Sequence, residues 1–138
     1  VCGGAVHSNF NMERKDMTER IKRAIANPNV DILFHPTGRL IQRREAYEVD
    51  MEDLFRHAKK TNTVFEIDAY PDRLDLKDEH VRAAVKIGVK LAIDTDAHST
   101  SHLHYLELGI AQARRGWAEK KDVINTLSLM DMRKVLKH

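Results

Sequence analysis

The sequence has one cysteine, no apolar run of membrane length and almost no net charge, and each shortage removes a class of protein. Cys2 has no partner within the chain. An intrachain disulfide is therefore excluded, and a reducing, cytoplasmic setting is expected. No apolar stretch approaches the ~20 residues that cross a bilayer, so no membrane partner is expected. The opening residues lack the basic and then apolar segments of a signal peptide. Lys and Arg number 23 against 21 Asp and Glu, for a net charge of +2. No global field marks an anionic partner, which must be sought in local basic clusters. Repeats, low-complexity tracts and internal linkers are absent. So is an initiator methionine, and residues 1–6 already read as a strand, so a fragment is expected.

What remains is a globular composition with 42% hydrophobic and 32% charged residues over 138 positions, enough for one domain with a moderate core. Eight histidines stand out. The key stretch is Lys90-Leu91-Ala92-Ile93-Asp94-Thr95-Asp96-Ala97-His98-Ser99. It starts as an apolar run of strand length and ends in acids, a histidine and hydroxyls. A buried parallel strand that delivers polar groups at its C-terminal end has this profile. Asp96 and His98 are two apart, on one side of an extended backbone. They read as part of a metal site or as polar residues capping the next helix.

Three earlier strands precede it. Residues 1–6 are small and apolar and end in His7-Ser8-Asn9. Val30-Asp31-Ile32-Leu33-Phe34 runs into His35, and Thr63-Val64-Phe65-Glu66-Ile67-Asp68-Ala69 alternates as an interior strand. Helical spacing covers residues 11–26, with Asn27-Pro28-Asn29 stopping it, and a second helix follows an Asp50/Asp53 capping pair to about Lys60. Residues 78–87 form a third, closed by Gly88. Residues 103–115 form a fourth, with Leu106, Ile110 and Ala113 on one face. A last helix is capped by Ser128, with Met132, Val135 and Leu136 on one face. The order β-α-β-α-β-α-β-α calls for an α/β fold with parallel strands.

Three of the four strands end in a candidate ligand: His7, His35, and Asp96 with His98. In a parallel sheet these ends share one edge. Nitrogen and oxygen donors suit Zn, Mn or Fe(II). Glu66 and Asp68, two apart on the third strand, read as groups supporting such a site from behind. His57 and His80 read as surface residues, and His102 and His104 as a solvated face at the start of a helix, ahead of a substrate contact. The loop after His35 carries Arg39, Arg43 and Arg44, and guanidinium groups bind phosphate oxygens in pairs. Metal beside arginines suits phosphoester hydrolysis, although a solvated basic loop paired with Glu45 and Glu48 has the same composition.

His7-Ser8-Asn9-Phe10, Phe34-His35-Pro36-Thr37-Gly38-Arg39-Leu40, Arg43-Arg44-Glu45, Arg73-Leu74-Asp75-Leu76 and Asp94-Thr95-Asp96-Ala97-His98 together resemble the PHP (polymerase and histidinol phosphatase) family. Within it they are similar to the C-terminal PHP domain of bacterial and archaeal family X DNA polymerases. That resemblance implies the C-terminal portion of a distorted seven-stranded β/α barrel, with about four parallel strands and their helices. Residues 1–138 would be a partial domain, without the upstream strands and the polymerase domain. It implies divalent metal ions, Mn or Zn, up to three in a complete site and fewer here. His7 and His35 would share one ion, and Asp96 and His98 would serve two others. The implied activity is a 3′-5′ exonuclease or DNA end-processing phosphoesterase, with DNA 3′ ends as partner. Arg39, Arg43 and Arg44 would meet phosphate. The family's opening His-x-His motif, a further Asp-His pair and a bridging Glu have no match in this sequence, so little activity is expected of this chain alone. Two further readings stay open: a non-catalytic DNA-binding or docking module, and a small-molecule phosphatase of the histidinol phosphate type. Gln42 and Asp68 stand where the family leads one to expect Gly and Asn. Exposed strand edges predict self-association.

Overall fold

The computed structural model describes residues 1–137. Four strands form one all-parallel sheet in sequence order: β1 (Gly3–Gly4), β2 (Ile32–Leu33), β3 (Val64–Asp68) and β4 (Leu91–Asp94). Helices α1 (Arg14–Ala26), α2 (Met51–Thr61) and α3 (Asp78–Ile87) make the crossovers, and α4 (Leu106–Arg115) and α5 (Leu129–Val135) follow β4. The α/β class and the parallel order agree with the expectation. The strands are shorter than expected. β1 keeps two residues, and its Gly3 lies against Phe34, where a Cβ would come within 2.0 Å of the ring. β2 ends before His35, whose φ of +32° turns the chain out of the sheet.

Alternation along the strands divides the core into two. One face presents Leu33, Phe65, Ile67, Leu91 and Ile93 to the helices, where Met17, Ile21 and Ile25 of α1 and Leu54, Phe55 and Ala58 of α2 are buried. Each of these side chains larger than Ala58 contributes roughly 1.5–3 kcal/mol by leaving water. The other face starts with Ile32, Val64 and Ala92. Ile124, Met132, Val135 and Leu136 cover them, so α5 and the turn before it fill the N-terminal part of that face.

Local signals explain the helix ends. Asp50 accepts the Asp53 amide at 3.0 Å and caps α2, while Asn62 closes it in the left-handed region. Gly88 (φ +86°) closes α3, and Ser128 accepts the Asp131 amide at the start of α5. The helix expected over 103–115 is instead a 3-10 turn (Thr100–Tyr105) followed by α4, and Leu106 and Ile110 are exposed. Gly109 and Ala113 face inward in their place. A glycine adds nothing to a hydrophobic pattern, so the periodicity selected a neighbouring face. Val123 pairs with Leu91 in parallel, and Asn125 bonds both backbone groups of Ile93, giving β4 a partner that the sequence did not announce. Among the described residues no helix is long and apolar enough to cross a membrane.

Candidate metal centre

The C-terminal edge of the sheet gathers the polar groups. His7 follows β1 and His35 follows β2, and their Nε2 atoms lie 3.3 Å apart with the rings stacked at 5.2 Å. Two nitrogens bound at ~2.0–2.1 Å to one tetrahedral ion sit about this far apart. The pair therefore fits two positions around a single metal. His35 is held in place from behind: its backbone N–H donates to Glu66 Oε2. Burial first, and then the positive charges of Arg73 and His7, lower its pKa to about 4. At neutral pH His35 is an uncharged imidazole, the form that ligates metal.

His7, His35 and Asp96 line one open depression of about 510 Å³ together with Gly3, Ala5, Phe34, Glu66, Asp94, Thr95 and Ala97. His98 is not in this lining. Its Nδ1 lies 2.6 Å from the Asp96 carbonyl, and its amide donates to His102 Nδ1, so it belongs to the turn that starts the 3-10 segment. His102 continues into an aromatic group with Tyr70 and Tyr105, whereas His104 is exposed. His57 and His80 are half-buried on α2 and α3 rather than on the open surface. Among the described residues no three His, Cys, Asp or Glu side chains converge into a metal-ready group. Two donors meet, and the third and fourth stand apart.

The acids behind the pair are partly neutral. Burial, and then the Asp94 carboxylate beside it, push Glu66 well above the usual carboxylate range. Asp68 is raised to about 7, first by burial and then by Asp96, against the pull of the Tyr70 amide and Arg73. Arg73 bridges two of these carboxylates, with Nε at 3.2 Å from Asp68 and 3.6 Å from Asp96.

The three loop arginines take different places. Arg39 donates to the carbonyls of Arg73 and Leu74 and clamps its loop to the one after β3. Arg44 donates to the Gly38 carbonyl at 2.9 Å and lies over the Phe10 ring. Arg43 is the exposed one, 3.4 Å from Asp72. Asp75 anchors the turn after His35 by accepting the Thr37 and Gly38 amides at 2.9 and 3.0 Å, and burial lifts its pKa to about 6. Asp75 and Arg73 were visible only within the resembling motif, since their partners lie far away in sequence.

With this geometry in place, comparison with known proteins adds one relative. Over 133 residues, 96% of its length, the chain is 46% identical to the DNA polymerase/3′-5′ exonuclease PolX of Bacillus subtilis (strain 168). The resemblance is to PolX. The match spans 23% of that protein. No family model matches the chain.

Proposed function

We propose that this chain carries part of a metal-dependent phosphodiester-cleaving site that acts on DNA 3′ ends, within a protein of the PolX kind and with the PHP barrel as its complete form. The facing His7 and His35 nitrogens are the observation that carries the reading. A bound divalent ion would supply Lewis acidity toward a phosphoryl oxygen. His7 and His35 would hold it, and Asp96, in the same depression, is a further oxygen donor that the sequence singles out. Glu66 fixes the His35 turn through the backbone. Arg73 holds Asp96 near Asp68, and Arg43, exposed and paired with Asp72, would exchange that partner for a phosphate. Arg39 and Arg44 act by holding the loops in register. Mn or Zn is the expected ion, and Asp96 and His98 would complete other positions with donors from outside this chain.

The test has two parts. Calorimetric titration of the chain with Mn and Zn should show one site, weakened ~100-fold or more by His35→Ala, since losing one of two ligands removes half the donor set. Release of nucleotides from a labelled 3′ end by the full-length protein should fall to background in the same variant. Unchanged metal affinity in His35→Ala would overturn the assignment.

A second reading, a DNA-binding module without catalysis, is favoured by the fact that only two donors meet. Full-length His35→Ala and Asp96→Ala separate the two readings. Cleavage lost with binding kept supports the hydrolase. Binding lost, from a parent that never cleaved, supports the module.

A further inference from the structure

The surface next to His7 carries a second construction that metal ligation does not use. Phe10 follows His7 by three residues, and the Arg44 guanidinium carbon lies 4.0 Å over the centre of its ring. Tyr47 lies nearly parallel to Phe10, at 6.3 Å and 20°. Both partners of Phe10 are fixed to the turn that follows His35. Arg44 Nε donates to the Gly38 carbonyl at 2.9 Å, and the Tyr47 hydroxyl donates to the Pro36 carbonyl at 2.6 Å. The aromatic ring thus hangs from the His7 segment and the guanidinium from the His35 segment. Whatever orients one histidine against the other orients this pair too.

The pair borders an open depression of about 580 Å³ whose lining is Asn9, Phe10, Asn11, Met12 and Arg44. That volume lies in the range of small-ligand sites, ~300–1,000 Å³. The lining contains no carboxylate. A neighbouring depression that shares Phe10, Asn11, Met12 and Arg44 adds Glu13, Glu45 and Glu48 with Arg14, so its three carboxylates outnumber its two guanidinium groups. A flat ring, a guanidinium plane, two amides and a thioether together suit an uncharged planar heterocycle. The guanidinium also attracts a neighbouring phosphate.

We propose that the Phe10–Arg44 pair is a stacking platform for a nucleobase of single-stranded DNA, placed beside the His7–His35 pair. This rests on the phosphodiester reading above and deepens it by naming the form of the substrate. Stacking uses the π-face that every base has, so recognition is tolerant of sequence. It requires the base to be unpaired, so a single-stranded or frayed end binds in preference to a paired one.

Fluorescence anisotropy tests this on the 138-residue chain in EDTA, with 5′-fluorescein octathymidylate and an abasic octamer of the same charge as probes. The wild type should bind the thymidylate about 10-fold more tightly than the abasic strand. Phe10→Ala and Arg44→Met should each reduce that preference below about 2-fold, and Phe10→Trp should retain it. Circular dichroism checks that each variant is folded, and Arg44→Met stands in if Phe10→Ala is not. A wild type that binds neither probe, or that shows no preference, overturns the platform. So does a folded Phe10→Ala or Arg44→Met that keeps the full preference. Because EDTA removes metal from the measurement, failure here is distinct from failure of the metal titration. A base preference without metal binding leaves a strand-binding surface, and metal binding without a base preference leaves the histidine pair alone.

Discussion

Asp68 is a carboxylate in surroundings that favour a neutral group. It is fully buried and faces Asp96, and its pKa is raised to about 7. A folded value above the unfolded one means that the protonated form is preferred on folding. Its stabilisation is complete below about pH 4 and is lost as the pH rises through about 7. Asp68→Asn, the residue that the resembling family leads one to expect, removes this titration. Urea denaturation in EDTA should show the wild type losing stability between pH 5 and pH 8, with the variant losing on the order of 2 kcal/mol less. Equal slopes would refute the assignment. Gln42, the other departure, has φ +61°, the left-handed region where a glycine is free of the ~1 kcal/mol strain that other residues carry. That His7, His35 and Asp96 share one sheet edge was legible, because a polar residue ending an apolar run is a local signal. The bonds from Glu66 to His35 and from Asp75 to Thr37 span 31 and 38 residues, and nothing local encodes them.

At the scale of elements, capped helices were readable and close approaches were not. Asp50, Gly88 and Ser128 ended helices where their chemistry said they should. In α4 the packing contact is made by a missing side chain. A Cβ on Gly109 would sit 2.6 Å from Ile93 Cγ2 and 2.8 Å from the Ala69 Cβ. Gly109→Val should cost ~1–3 kcal/mol by overpacking, seen as a Tm several degrees lower. A variant as stable as the wild type would mean that α4 does not lie this close to β3 and β4. The β4–Val123 pairing was likewise invisible, because the segment around it is built of 3-10 turns (Lys120–Asp122 and Ile124–Thr126) without strand periodicity.

Across the whole molecule the sheet is covered unevenly. Helices pack one face along its length, α5 closes the N-terminal part of the other, and Ala5, Phe34 and Ala97 line the open remainder. β1 pairs only with β2, so one edge offers free backbone groups. Its two-residue length limits that edge, as short edge strands do in general. Light scattering at rising concentration should still report a mass above that of one chain, and Ala5→Lys should lower it. A monomer at every concentration would show that the short edge is protection enough. The order of the sheet could be read from the alternation of strands and helices, whereas the extent of each face could not, because α5 reaches it from far along the chain.

Asp31 directly precedes β2 at the end of the sheet away from the histidines. Its Oδ2 accepts the Cys2 amide at 2.8 Å and its Oδ1 the Lys137 amide at 3.0 Å. One buried carboxylate thus fastens the first and the last described segments to the same point. Hydrogen bonds to a charged acceptor contribute ~1.5–3 kcal/mol each, so the two segments share a latch and do not fray independently. Their amides should exchange with solvent as one cooperative unit, and the segments at Cys2 and Lys137 open together or not at all.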